Sequence, residues 1–210
     1  MRYLRDQPEF SRALTFFDAS YAVALTLLVE SISVGNRHSS FKSFSALDRA
    51  IGPQFIAFLI SFAVIAGYWL LHYRMVARFV AFDTRMIVAN LCLIAAVVLL
   101  PFSTSSVGDP GVAQLPLPTV LMAINVAAVS VLHTAVWVFA VKGKLLDHTP
   151  SAAEHFDTVF GGIAPAAVFL ASVPIAYLAA PNIARLSWLS LVVINPAGRV
   201  LAVHIRRPRN

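Results

Sequence analysis

The chain has 210 residues, of which 59% are hydrophobic and only 12% charged, and its formal net charge is +6. A soluble domain carries about 25% charged residues, and a soluble core of this size cannot hide so much apolar surface, so the composition points to an all-α integral membrane protein. The basic residues lie between apolar runs rather than in a patch with aromatics, which argues against a nucleic-acid surface and makes them membrane-topology charges.

The first twelve residues, MRYLRDQPEFSR, are charged and lack the small-residue pattern of a cleaved signal. The apolar run that follows is therefore expected to remain as a permanent span. A span takes roughly 20 apolar residues, and six candidates follow in order: 13–30, 53–73, 86–102, 116–141, 159–180 and 184–204. Pro101, Pro110, Pro116, Pro150 and Pro181 fall at or between span ends, where a missing N–H costs little. Pro165 and Pro174 lie inside the fifth span and predict kinks or a broken start; Pro196 and Gly198 predict the same in the sixth. No internal repeat or low-complexity linker divides the chain, so residues 1–210 are expected to form one six-span domain.

Six spans sort the basic residues into two sets. One side holds Arg2, Arg5, Arg12, Arg74, Arg78, Arg85, Lys142, Lys144, Arg199, Arg206, Arg207 and Arg209; the other holds Arg37, Lys42, Arg49 and Arg185. The excess on the first side places both termini in the cytoplasm of a multi-pass cell-membrane protein.

The first span, RALTFFDASYAVALTLLVE at 12–30, carries Asp18 among apolar residues. On a wheel of about 100° per residue, Ala19, Val23, Thr26, Leu27 and Glu30 share one sector, turned roughly 120° from Asp18. Such a face suits a pore: Val23 and Leu27 as apolar constrictions, Thr26 as a ring of hydroxyls, Glu30 as an acidic outer mouth for cations. It equally suits ordinary helix packing with Glu30 in the headgroup zone. A carboxylate within a span normally faces protein or water and has a partner. Trp69 and His72 at the end of the second span, and Asn90 in the third, lie at similar depth and are the candidate partners of Asp18.

Other features are less telling. Cys92, the single cysteine, is expected as a packed small hydrophobe. TSSVGD at 104–109 faintly echoes a potassium-channel carbonyl filter but lacks the aromatic and the second glycine, so it is expected as an outer loop. His133 sits deep in the fourth span and suits a hydrogen bond to a neighbouring helix. Asp147, His148, Glu154, His155 and Asp157 gather in a spacing that matches no metal motif and fits a solvated loop. No nucleophile elbow, zinc-protease helix or phosphate-binding loop is present, so neither an enzyme nor a cofactor is expected.

Arg12, Phe16, Phe17 and Asp18 resemble the signature at the start of the first span in the transmembrane protein 175 family of potassium channels, an Arg, three residues, then Phe-Ser-Asp. FLISFAVIAGYWLLHYR at 58–74 and NLCLIAAVVLLPFST at 90–104 are also similar. The resemblance implies a homotetramer of six-span chains whose first helix lines a central pore. It implies that Val23 forms the narrow constriction, with Leu27 next on the pore face, and that Thr26 is tied to selectivity. It further implies that Arg12, Phe16 and Asp18 join a structural network with Trp69 and His72. Phe17 stands where the motif has Ser, which removes a hydroxyl partner from that network, and Val23 is smaller than the usual Ile or Leu.

Two functions fit. One is passive, potassium-preferring cation conduction. The other is proton- or cation-coupled secondary transport using Asp18 or His133, for which Pro165 and Pro174 hint at the broken helices that transporters use.

Overall fold

The computed structural model describes residues 2–35 and 37–206, with backbone only at 37, 39, 199 and 202–206. The expected Arg207 and Arg209 topology charges lie outside the described residues, as do the side chains of Arg37, Arg199 and Arg206.

Helix α1 (Pro8–Leu27) opens on a proline at its first position, where the missing N–H is one of the helix's unused donors, and a 3₁₀ turn at Leu28–Ser31 continues it. After a short α2 (Arg37–Ser40), Ser43 caps α3 (Phe44–Val76) by accepting from the Ala46 amide. At 33 residues α3 is far longer than the expected 53–73. About 1.5 Å per residue makes it roughly 50 Å long, against about 30 Å of bilayer hydrocarbon. Its first turns, with Asp48 and Arg49, must therefore stand clear of the apolar layer.

Asp83 caps α4 (Thr84–Val98), which is followed directly by α5 (Leu100–Gly108). Pro101 was expected to end the third span; instead it occupies the first turn of α5, and the apolar stretch continues to Gly108. The expected loop at 104–109 is accordingly helical through Gly108, and Thr104 Oγ1 lies 2.9 Å from Leu100 O and 2.6 Å from Ser61 Oγ on α3.

Helix α6 (Pro116–Lys142) is the central element, packed against α4, α5 and α7. Helix α7 (Ala152–Leu178) begins with a reciprocal cap: Ser151 Oγ accepts from the Glu154 amide, and Glu154 accepts from the Ser151 amide. Pro165 and Pro174 do not break it. A proline ring presses on the carbonyl four residues earlier; for Pro165 that residue is Gly161, whose backbone yields easily.

The sixth stretch departs most from expectation. It is divided into α8 (Pro181–Ser187), a 3₁₀ turn at Trp188–Ser190, and α9 (Leu191–Arg206), so the interruption precedes Pro196 and Gly198 rather than falling on them. Among the described residues, five helical stretches are long and apolar enough to cross a membrane: Pro8–Ser31, Phe44–Val76, Thr84–Gly108, Pro116–Lys142 and Ala152–Leu178. At 16 residues α9 falls short of that length alone. Cys92, expected to be packed, is exposed.

A small ribbon went unforeseen in the sequence. Strand β1 (Arg2–Leu4) pairs antiparallel with β2 (Ala81–Asp83), Arg2 opposite Asp83. Arg5 donates to Ala77 O and Phe79 O, Arg2 to Gly143 O, and Val80 N to Leu145 O. The N-terminus and the turns after α3 and α6 are thus laced together, which gathers Arg2, Arg5, Arg78, Lys142 and Lys144 at one end of the bundle. At the opposite end Arg185 reaches Thr119 Oγ1 at 2.9 Å and Ala113 O, tying α8 to the start of α6.

Candidate functional site: one face of the first helix

Helix α1 buries Phe10, Phe17, Tyr21 and Ala24, continued by Leu28 and Ser31. These recur at three- and four-residue steps and form one stripe. Packing on α3 and α4 covers that stripe and leaves the opposite face bare. The bare face carries Ala19, Val23, Thr26 and Glu30, with Val23 51% exposed. These are four of the five residues the wheel grouped together; Leu27, the fifth, is half-buried at the edge of the stripe.

Thr26 Oγ1 donates to Val23 O at 2.8 Å. The backbone therefore takes the hydroxyl proton, and the lone pairs of the oxygen are turned outward. Glu30 is exposed in the 3₁₀ turn, about one helical turn beyond Thr26.

Asp18 is half-buried beside the stripe and accepts a hydrogen bond from Trp69 Nε1 at 3.1 Å. Of its three candidate partners, only Trp69 bonds to it. His72 is 1% exposed and lies instead among rings, with Phe17, Tyr21 and His133 centred 5.6 to 6.3 Å away. Neither of its nitrogens has a partner among the described residues. Asn90 donates to Met86 O on its own helix, and its carbonyl oxygen is buried without a partner. Arg12 and Phe16 are exposed on the bare side of α1, and Arg12 makes no hydrogen bond or ion pair among the described residues. Among the described residues the expected network thus contracts to Asp18 and Trp69. Phe17, which stands where the motif has a hydroxyl, is 1% exposed and edges against both His72 and Phe82.

Residues 12–101, which contain α1 and its partners on α3 and α4, match the model of the endosomal/lysosomal potassium channel TMEM175 family. Over that stretch, less than half of its length, the chain is similar to the TMEM175 family. Among its relatives, a potassium channel from Chamaesiphon minutus is 30% identical over 106 residues, 50% of this chain and 52% of that one. A potassium channel from Streptomyces collinus is 28% identical over 101 residues, 48% of each chain. This chain therefore spans about half the length of these two relatives in the aligned region. The fold likeness reaches further. A lysosomal potassium-selective channel TMEM175 homolog from Chamaesiphon minutus superposes with a TM-score of 0.67 over 96% of this chain and 100% of that one, at 21% identity. A variant of the potassium channel MtTMEM175, solved with a nanobody fusion, gives 0.64 over 92% of each, also at 21% identity. The TMEM175 fold accordingly extends over α6 to α9, beyond the matched sequence.

Sequence reasoning missed the second cluster of polar side chains. Tyr68 on α3 hydrogen-bonds Ser130 on α6, and Trp137 donates to His155 Nδ1 at 3.2 Å. His148, foreseen only as part of a solvated loop, lies 2.8 Å from Asp147 and 2.9 Å from an Arg78 nitrogen. The usable signal was the run of Ser130, His133, Thr134 and Trp137 at three- and four-residue spacing along one face of an otherwise apolar helix.

Proposed function

We propose that the protein is a potassium-preferring cation channel. Four chains assemble about a central axis with α1 innermost, and ions pass without a cofactor. The observation that carries this is the bare stripe on α1, in which small, apolar, hydroxyl and acidic residues follow one another along a helix whose opposite face is packed. The names of the relatives, two potassium channels, support the choice of ion.

Val23 and Leu27 constrict the pore with apolar side chains, so an ion passes largely hydrated or at a dewetting cost. Potassium releases water more readily than sodium, so the constriction penalises sodium more. Thr26 supplies one oxygen per chain, its proton already committed to Val23 O. Four such oxygens replace part of a hydration shell, and selectivity is modest. Glu30 concentrates cations at the outer mouth. Asp18 is held by Trp69 and positions α1 rather than binding the ion; Arg12 and Phe16, bare in one protomer, contact neighbouring chains.

The 210 residues act as one domain. The α8, 3₁₀ and α9 stretch of Pro181–Arg206 packs on α7 and serves as an interrupted sixth span. Six crossings put both termini on one side, and the basic end formed by Arg2, Arg5, Lys142 and Lys144 makes that side cytoplasmic.

Purified protein in planar bilayers tests the proposal. The current should reverse at the potassium Nernst potential and ignore a proton gradient. A thiol reagent should block Val23→Cys and spare Leu25→Cys. Reversal that follows the proton gradient, or the opposite labelling pattern, overturns it.

A further inference from the structure

A cavity of about 250 Å³ opens between α3, α6, α7 and α9 at the basic end of the bundle, away from the α1 stripe. It equals roughly eight water molecules at about 30 Å³ each. Arg74 and Arg78 come to it from α3 and the turn that follows; His133 and Trp137 come from α6. Thr158 on α7 and Asn195 on α9 complete its polar wall.

Three polar atoms in this wall are buried with no hydrogen-bond partner among the described residues: Arg78 Nε, His133 Nε2 and Asn195 Oδ1. His133 is itself only 5% exposed. Buried donors and acceptors are nearly always satisfied, so three orphans on residues that line one cavity mark a region whose polar groups are short of partners. Arg78 is fixed for such a role. Its guanidinium carbon lies 5.1 Å from the centre of the Trp137 ring, one terminal nitrogen is 2.9 Å from His148, and its Nε is 3.9 Å from Asp147, too long for a hydrogen bond. Arg74, one helical turn earlier, is exposed and carries a second positive charge.

Two guanidiniums around a cavity at a helix-bundle end suit an oxyanion with several acceptor oxygens. Asp157 also lines the cavity and would oppose a bare anion. Its carboxylate accepts instead from hydroxyls, as Asn195 Oδ1 also can. Leu71 and Phe160 give the same cavity an apolar flank. Gly198 keeps it shaped, because a Cβ there would meet the Phe160 ring at 2.2 Å.

We propose that this cavity binds a phosphoryl group bearing hydroxyls, with Arg74 and Arg78 on the phosphate oxygens and Asp157 and Asn195 on the hydroxyls. A phosphatidylglycerol headgroup has this chemistry, its chains lying along Leu71 and Phe160; glycerol phosphate free in solution has it too. Basic pockets between spans are known to take lipid headgroups in this way.

Purified full-length protein in detergent is titrated with phosphatidylglycerol, with phosphatidylcholine and with glycerol phosphate, and binding is read by native mass spectrometry and thermal shift. Saturable binding of phosphatidylglycerol, absent with phosphatidylcholine, is expected. Arg74→Gln, which removes no hydrogen bond or ion pair among the described residues, should weaken it about tenfold, the loss of one charge-assisted hydrogen bond. Asn195→Leu should weaken it independently. The same site filled by glycerol phosphate alone supports the phosphoryl assignment and gives it a soluble source. Equal uptake of the two lipids, or phosphatidylglycerol binding unchanged in both variants, overturns the proposal.

Discussion

Gly162 on α7 packs tightly against α6, and replacing it with Ala tests the packing directly. A Cβ at that position would stand 1.9 Å from Thr134 Oγ1 on α6, with Thr134 Cβ at 3.3 Å and Ser130 O at 3.5 Å. Thr134 cannot simply turn away. It is buried, its Oγ1 donates to Ser130 O at 2.9 Å, and a β-branched side chain that rotates brings its methyl toward the same space. Overpacking of this kind costs about 1–3 kcal/mol. A middle value of about 2 kcal/mol lowers the melting temperature by roughly 4–8 °C for a chain of this length. Thr134→Ala alone removes one hydrogen bond and a methyl, a loss of about 1–2 kcal/mol. In the double variant the clashing oxygen is gone and the remaining neighbours stand at ordinary or slightly tight distances. Its melting temperature should match that of Thr134→Ala. Fluorescence-detected size-exclusion after heating measures all four proteins. If the two losses simply add, α6 and α7 are not in contact at Gly162 and the close approach is wrong.

Thr26→Val keeps the stripe lined and apolar but removes the oxygens, so the potassium-over-sodium ratio from reversal potentials should fall while some current remains; an unchanged ratio removes Thr26 from selectivity. Trp69→Phe strips Asp18 of its one hydrogen bond. A charged hydrogen bond is worth about 1.5–3 kcal/mol, and the half-exposure of Asp18 reduces this to about 1 kcal/mol. Oligomer recovery in detergent should fall modestly, and Asp18→Ala and Trp69→Phe combined should be no worse than either alone. Phe17→Ser restores the motif's hydroxyl near His72 but empties a space filled by a fully buried ring, at a cost of about 3–5 kcal/mol; a melt that rises instead of falling would show that His72 needs the hydroxyl more than the packing.

Much of the α1 stripe was legible because a helix has one period, and the contrast between Ala19, Val23, Thr26 and Glu30 and the face of Phe17, Tyr21 and Ala24 is written at that period. Asp18 was legible as a residue that needs a partner. Its choice of Trp69 over His72 was not, because both lie near the same end of α3 and no spacing rule says which side chain turns toward it. The five continuous spans were legible in their apolar length. Their ends were misplaced at α5, where Pro101 sits harmlessly in a first turn, and at α3, which runs on N-terminal of its apolar stretch through Pro53. In the sixth span the 3₁₀ turn at Trp188–Ser190 has no breaker residue to announce it. There the ring of Trp188 stacks on Phe169, and its Nε1 donates to Ser172, so tertiary contact sets the interruption. The ribbon of Arg2–Leu4 with Ala81–Asp83 was illegible for a similar reason: three residues are too few to show alternation.

The family sequence match stops at Pro101, whereas the fold likeness covers nearly the whole chain. The two halves of the bundle answer to different physics. In the proposed pore the chemistry of single side chains on α1 matters, since a hydroxyl, an apolar side chain and a carboxylate cannot stand in for one another beside an ion. Helix α3 is bound to it through Trp69, and α4 through the apolar face that Phe17 meets by way of Phe82. Apart from the polar cluster of Ser130, His133, Thr134 and Trp137, helices α6 to α9 pack largely through apolar residues, where volume and shape leave many sequences free to build the same interface. Gly162 opposite Thr134 and Gly198 opposite Phe160 are the positions in that half where shape itself demands one residue type. A search for distant relatives of α6 to α9 should therefore weight those two glycines above the apolar residues around them.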